Sequence, residues 1–167
     1  NRIPARCFWA VFSSLIRFLV PKIFLMMSIG IILYQIPYPF VIKTLLPNYR
    51  EFDDSRHFTG LPQLAWELGA DPASLAAPVR LPPELGGRTL GCMICEDAWD
   101  RDYPFSPASA LAARGAEALI NISASPFTLG KNARRHALFG GHAARLGLPF
   151  IYTNCPGLQD DGKTVFT

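Results

Sequence analysis

The chain has 167 residues, the length of one domain, and half of them are apolar, enough to bury a core. Its net charge of +3 is unevenly placed: residues 1 to 50 hold six basic residues and no acidic ones, leaving a net of −3 for the remainder. That split excludes a global basic surface for nucleic acid, and four cysteines in this length exclude a disulfide framework.

Residues 7–42 are nearly all apolar. Twenty of them, between Lys22 and Lys43, carry no charge, about the span of a membrane helix. Pro37 and Pro39 break the second half, and the unbroken apolar run 23–34 is only twelve residues. That length fits a buried element or a signal-type hydrophobic region as well as a span, so a membrane partner is admitted only through residues 7–42.

From Lys43 the composition is that of an ordinary soluble protein, with thiols read as reduced and a cytoplasmic location. Residues 44–60 read as a polar, turn-rich loop. A short helix is predicted over 61–68, stopping at Gly69, and a further turn follows Asp71-Pro72, where Asp caps and Pro opens a helix. Residues 81–88 are loop, and 89–95 (TLGCMIC) form a short apolar strand. Ser106 caps a helix with Pro107 in its first turn, ending at Gly115. A strand over 118–123, a loop, a helix over 131–146 closed by Gly147, and a strand over 149–154 follow. Strand, helix, strand, helix, strand argues for α/β layering with adjacent buried strands.

Cys92 and Cys95 form a C-x-x-C, but no second pair accompanies it. Positions three apart on a strand face opposite sides, so no metal site is expected there. Cys95 ends the strand and is followed at once by Glu96-Asp97-Ala98-Trp99. A strand end gives a nucleophile a stiff support facing a cleft, and a thiol then needs a base or a positive neighbour. A free cysteine in an apolar strand is also commonly a small core residue, and position alone leaves both readings open. His136 and His142 lie six apart on one predicted helix and face different directions, so they form no metal pair. Arg134-Arg135 reads as an exposed helical face or subunit contact.

Four ordered segments carry a resemblance. GCMICEDAWDRDY resembles the nucleophile motif of the carbon–nitrogen hydrolase (nitrilase) superfamily, in the C-E-D-x-W form of the glutamine-hydrolysing domain of glutamine-dependent NAD synthetases. KTLLPNYREFDDSRHF, starting at Lys43, looks like that subfamily's lysine loop. NISASPFTLGK, starting at Asn121, looks like its post-nucleophile strand and glutamine-contacting loop, and YTNCPGLQDDGK, starting at Tyr152, like the segment after it. The match covers about three quarters of the chain, 43–167.

The resemblance implies a four-layer α-β-β-α sandwich, incomplete here at both ends, that pairs through its helices into a homo-oligomer. It implies that Cys95 attacks the side-chain amide of glutamine to give a thioester and ammonia, and that Lys43 is the family lysine. An ammonium beside the nucleophile favours thiolate and stabilises the developing oxyanion. Glu96, Ser125 and Lys131 match substrate-binding positions, and Tyr49 stands where an aromatic residue lines the pocket. Strand alternation would point Glu96 away from Cys95 unless the turn has begun. The amide step needs no cofactor. ATP and Mg belong to a C-terminal NAD synthetase domain, expected as a partner and absent from these residues.

One departure matters. The family's general-base glutamate lies in a P-E-L-type segment well upstream of the lysine, and here no acidic residue precedes Glu51. The expectation is an inactive or nearly inactive partial domain at 43–167, behind a frame-shifted or fused start at 1–42. Two alternatives stand beside it: another amidase of the superfamily acting on a different amide or nitrile, and a non-catalytic, membrane-associated remnant of the fold.

Overall fold

The computed structural model describes residues 41–49, 52–155, 157–159 and 164–166. The chain divides into two units, Asn1–Tyr38 and Pro39–Thr167, and the described residues all fall in the second. The apolar stretch up to residue 40, with the membrane role considered for it, lies outside them, as do Asp160, Asp161 and Lys163 of the last motif.

The described residues give an α/β structure. Its centre is a four-stranded sheet in the order β1 (Val79–Arg80), β2 (Thr89–Ile94), β3 (Ala118–Ser123) and β4 (Phe150–Asn154). β1 pairs antiparallel with β2, while β2, β3 and β4 are parallel, with Met93 beside Asn121 and Asn121 beside Tyr152. Parallel neighbours need long crossovers, and the helices α3 (Pro107–Ala113) and α4 (Lys131–Leu146) supply them. Two short helices, α1 (Leu61–Glu67) and α2 (Pro72–Leu75), precede the sheet, and β5 (Gly157–Gln159) with β6 (Thr164–Phe166) forms a separate hairpin.

Local chemistry sets the helix ends. The Ser106 hydroxyl accepts from the Ser109 amide, and Pro107 opens α3. α4 is bracketed by Gly130 and Gly147, both at positive φ. Its buried residues, Arg135, Phe139 and His142, lie four and three apart, one stripe of a helix. Ala108 and Leu111 of α3 pack with Met93, Ala116 and Leu119 into the core, joined by Leu146, Leu148 and Phe150. Gly91 is tightly packed there: a Cβ would stand 2.7 Å from Leu119 Cδ2 and 3.1 Å from Leu111 Cβ, so a side chain requires Leu119 to shift. A second cluster, Leu61, Ala76 and Ala110, ties α1 and α2 to α3.

The sheet face that carries Met93 changes character along the strands. It is apolar at Leu119 and Phe150 and becomes polar at Asn121, Ser123, Tyr152 and Asn154. The polar end is the carboxyl end of the parallel strands, where open α/β sheets bind ligands. The opposite face (Leu90, Cys92, Ile94, Ile120, Ile122, Ile151) is apolar as far as Thr153 at its carboxyl end, and its Ile122 and Ile151 are exposed; apolar residues on both sides of a strand are the pattern of strands covered on both faces.

The differences from the sequence reading are local. α1 stops at Glu67, and β4 starts at Phe150. The 3₁₀ turns Asp54–Arg56 and Pro83–Leu85 fall inside predicted loops, and the two-residue β1 lies just before the predicted loop 81–88, where no element is expected. Such pieces are too short to carry a period and form through neighbouring strands or local turns. The strand predicted over 89–95 ends at Ile94, because Cys95 already opens a 3₁₀ turn, Cys95–Ala98.

Candidate active site

Cys95 sits on a sharp corner. Its φ is +49°, the single non-glycine in the left-handed region among the described residues, a conformation that costs an L-residue about 1 kcal/mol. Polar residues of β3 hold it. The amide of Asn121, fully buried, donates to the Cys95 carbonyl at 3.0 Å, and the Ser123 hydroxyl donates to Asn121 Oδ1 at 2.6 Å. Because the corner comes at Cys95, strand alternation does not govern the next residue, and Glu96 turns into a buried position rather than away.

Lys43 reaches the same corner from a loop 51 residues earlier: its ammonium donates to the Ile94 carbonyl at 3.0 Å. It also donates to Asp97 Oδ1 at 3.1 Å and to the Leu45 carbonyl. Asp97 is 1% exposed and accepts four hydrogen bonds. Oδ1 takes Lys43 Nζ and the amides of Thr44 and Leu45 at 3.1 and 2.7 Å, and Oδ2 takes the Ile94 amide at 2.9 Å. On its other side the loop is pinned by the Leu61 amide, which donates to the Lys43 carbonyl at 3.0 Å.

Glu96 is gripped by two phenols. Tyr49 donates to Oε2 at 2.8 Å and Tyr103 to Oε1 at 3.1 Å. Burial first, and then the Glu96 carboxylate, push both phenols well above the usual tyrosine range, so both keep their protons.

Opposing forces act on the Cys95 thiol. Burial pushes it up; the Lys43 ammonium pulls it down, Glu96 pushes it up again, and the Ser123 hydroxyl and Ala124 amide lower it further. The balance stays above the ordinary thiol value, so the ammonium moderates the cost of burial without producing a standing thiolate. Cys92 has no such relief, and burial alone pushes it up to about 11.

Lys43, Tyr49, Cys95 and Glu96 therefore come together at one corner. Ser125 stands in the loop after β3, buried, its amide donating to Asn154 Oδ1 at 2.8 Å and its carbonyl accepting from Asn154 and Arg135. Lys131 opens α4, donates to the Pro126 carbonyl at 3.1 Å and lies 5.9 Å from the Trp99 ring centroid. The Arg pair needs correction: Arg134 is exposed, but Arg135 is buried, 5.3 Å from the Tyr152 ring centroid. His142 is buried too, with Nε2 3.1 Å from the Ala98 carbonyl and 3.3 Å from Asp100. Among the described residues no cluster of three or more His, Cys, Asp or Glu could hold a metal ion.

Sequence reasoning passed over Asp97, Tyr103, Asn121 and Ser123 as site residues. Two signals were present. Asp97 lies three residues after the strand's last residue, the position from which an acidic side chain caps the preceding amide. Asn121 interrupts an otherwise apolar strand, and a buried amide needs partners.

No family model matches the chain. Among solved structures it is similar to a carbon–nitrogen hydrolase from Helicobacter pylori G27, at 29% identity and a TM-score of 0.52, over 74% of this chain and 41% of that one. An amidase from Nesterenkonia sp. AN1, at 23% identity and a TM-score of 0.50, shares the fold. The fold is that of the nitrilase-type carbon–nitrogen hydrolases, an enzyme family, represented here by part of it.

The particular relatives are glutamine-dependent NAD(+) synthetases. That of Rhodobacter capsulatus is 45% identical over 120 residues, 72% of this chain and 18% of the relative. That of Synechocystis sp. is 29% identical over 71% of this chain and 20% of the relative. The synthetase structure from Acinetobacter baumannii matches 74% of this chain and 19% of that chain, with 26% identity and a TM-score of 0.55. The chain thus spans about a fifth of the length of the curated relatives it matches.

Proposed function

We propose that this chain carries part of the ammonia-supplying domain of a glutamine-dependent NAD(+) synthetase and that its site acts on the side-chain amide of glutamine. The observation that carries the reading is the corner itself: a cysteine at the carboxyl end of a parallel strand, with a lysine ammonium held at the preceding carbonyl.

Cys95 Sγ attacks the amide carbon, and the oxyanion that forms is stabilised by the Lys43 ammonium. The C–N bond breaks as the nitrogen takes up the proton given by the thiol, leaving ammonia and a thioester. Water then cleaves the thioester, releasing glutamate and restoring the thiol. Tyr49 and Glu96 wall the pocket, with Ser125 and Lys131 as the contacts for the α-amino and α-carboxylate end.

Moving the proton asks for a general base. Residues 1 to 50 contain no carboxylate, and Glu96 is engaged by two phenols. A missing general base slows such a step by about 10²–10⁴-fold, so turnover by these residues is weak. The reading also carries a cytoplasmic location, self-association through helices, and ATP and Mg used only by the synthetase portion. Among the described residues, no helix is long and apolar enough to cross a membrane.

Because turnover is slow, the test is affinity labelling. A chloroketone analogue of glutamine should alkylate Cys95 faster than a plain chloroacetamide does. Glutamine, but not asparagine, should protect it, and in Cys95→Ala the fast, glutamine-protected labelling should disappear, leaving only slow modification of Cys92. Equal rates for the two reagents, or no protection by glutamine, would remove the assignment.

A further inference from the structure

We infer that Asp97 is a positioning residue: its buried carboxylate holds the Lys43 ammonium against the carbonyl that precedes Cys95, and so aims the cation that acts on the thiol. The inference rests on the reading of Cys95 and Lys43 as a working pair, and it names what keeps them paired.

The geometry separates this role from simple packing. A lysine side chain has four rotatable carbons and a point charge that water solvates well, so an unanchored ammonium moves away from a buried thiol. Three acceptors take the three ammonium protons of Lys43, and only Asp97 carries a charge; the other two are the carbonyls of Leu45 and Ile94. When an oxyanion forms, one carbonyl bond can yield while the ion pair stays.

The same carboxylate fixes both ends of the pairing. Oδ1 receives the Thr44 and Leu45 amides, which hold the backbone from which Lys43 springs, and Oδ2 receives the Ile94 amide, at the base of the corner that carries Cys95. One side chain thus sets the separation between two groups 52 residues apart in sequence.

A residue that acts through Lys43 leaves a signature that a merely structural residue does not. In the full chain, the alkylation rate of Cys95 at neutral pH is compared for the unaltered protein, Lys43→Met, Asp97→Asn and the double variant. Loss of a close opposite charge commonly raises a thiol pKa by a unit or more, so Lys43→Met is expected to slow alkylation about tenfold. Asp97→Asn is expected to slow it to the same extent, and the double variant no further. The direction decides the question. Removing a negative charge that merely sits nearby would speed alkylation, so a rate that is unchanged or faster in Asp97→Asn overturns the inference, as does an unchanged rate in Lys43→Met.

Should Asp97→Asn not fold, the unaltered chain still decides. An ammonium locked in a buried ion pair is poorly screened, so alkylation of Cys95 should change little between low salt and about 1 M. A rate that falls steeply with salt would reveal a loosely held cation and overturn the inference. If this pattern holds while glutamine fails to protect Cys95, the positioning role stands and only the choice of substrate falls.

Discussion

At the scale of residues, the site is a contest between burial and a single cation. Cys95 and Cys92 are three residues apart, both half-buried, and differ in what faces them: Lys43, Ser123 and the Ala124 amide act on Cys95, while Cys92 has burial alone. Cys95 should therefore take up a small haloacetamide faster than Cys92 across neutral to mildly alkaline pH, by about tenfold or more. Its rate should still be climbing above the ordinary thiol range, because burial holds its titration up there. Peptide mapping after timed pulses checks this, and matching rates would mean that Lys43 does nothing for the sulfur. The nucleophile and the lysine were legible because each is embedded in a distinctive run of neighbours. Asp97 was not, since nothing in CEDAW tells that its carboxylate reaches back to amides 52 and 53 residues away. Arg135 misled for a similar reason. As a charge next to Arg134 it reads as surface, and only the packing of α4 reveals that it points inward to the Ser125 carbonyl.

At the scale of elements, α4 is fastened to the post-nucleophile turn by a buried pair. His142 Nε2 meets Asp100 Oδ1, and Asp100 also receives the Ser106 hydroxyl that caps α3. The hydrogen bond to Asp100 raises the imidazole's pKa above its ordinary value, although burial and the Arg145 guanidinium oppose it. Burial pushes the Asp100 carboxyl up, but hydrogen bonds from His142 and Ser106 outweigh it and hold the carboxyl below its usual value. The signs then follow from linkage. The histidine's contribution is complete below the ordinary imidazole value and is lost as pH rises through its raised value. The aspartate's is complete above the ordinary carboxyl value and is lost as pH falls through its depressed one. Melting temperature should fall as pH goes from mildly acidic to alkaline. His142→Leu, which strands a buried carboxylate, should flatten that slope and cost about 3 kcal/mol in denaturant unfolding. A slope unchanged by the substitution would mean that the pair is not titrating. The elements themselves were easier to read than this junction. The β3 and α4 bounds coincide with the predicted 118–123 and 131–146, since hydrophobic runs, a left-handed glycine on each side of α4 and β-branched residues act locally.

At the scale of the molecule, the chain corresponds to about a fifth of its synthetase relatives, and the described residues gather one corner at the carboxyl end of a four-stranded sheet. Replacing residues 1–42 by a start that carries a carboxylate in the family's position should raise glutamine hydrolysis by about 10²–10⁴-fold over the chain as it stands. Released ammonium gives the readout, and equal rates in the two proteins would show that the base is not what limits turnover. The Lys43–Asp97 clasp has a further consequence, for the order in which the protein becomes competent. Its partners are 54 residues apart, so a large loop must close before the ammonium can arrive, and that closure is entropically costly and slow compared with local structure. A nascent or partly refolded chain consequently bears an unremarkable sulfhydryl, and chemical vigour at that atom is acquired only with the last long-range contacts.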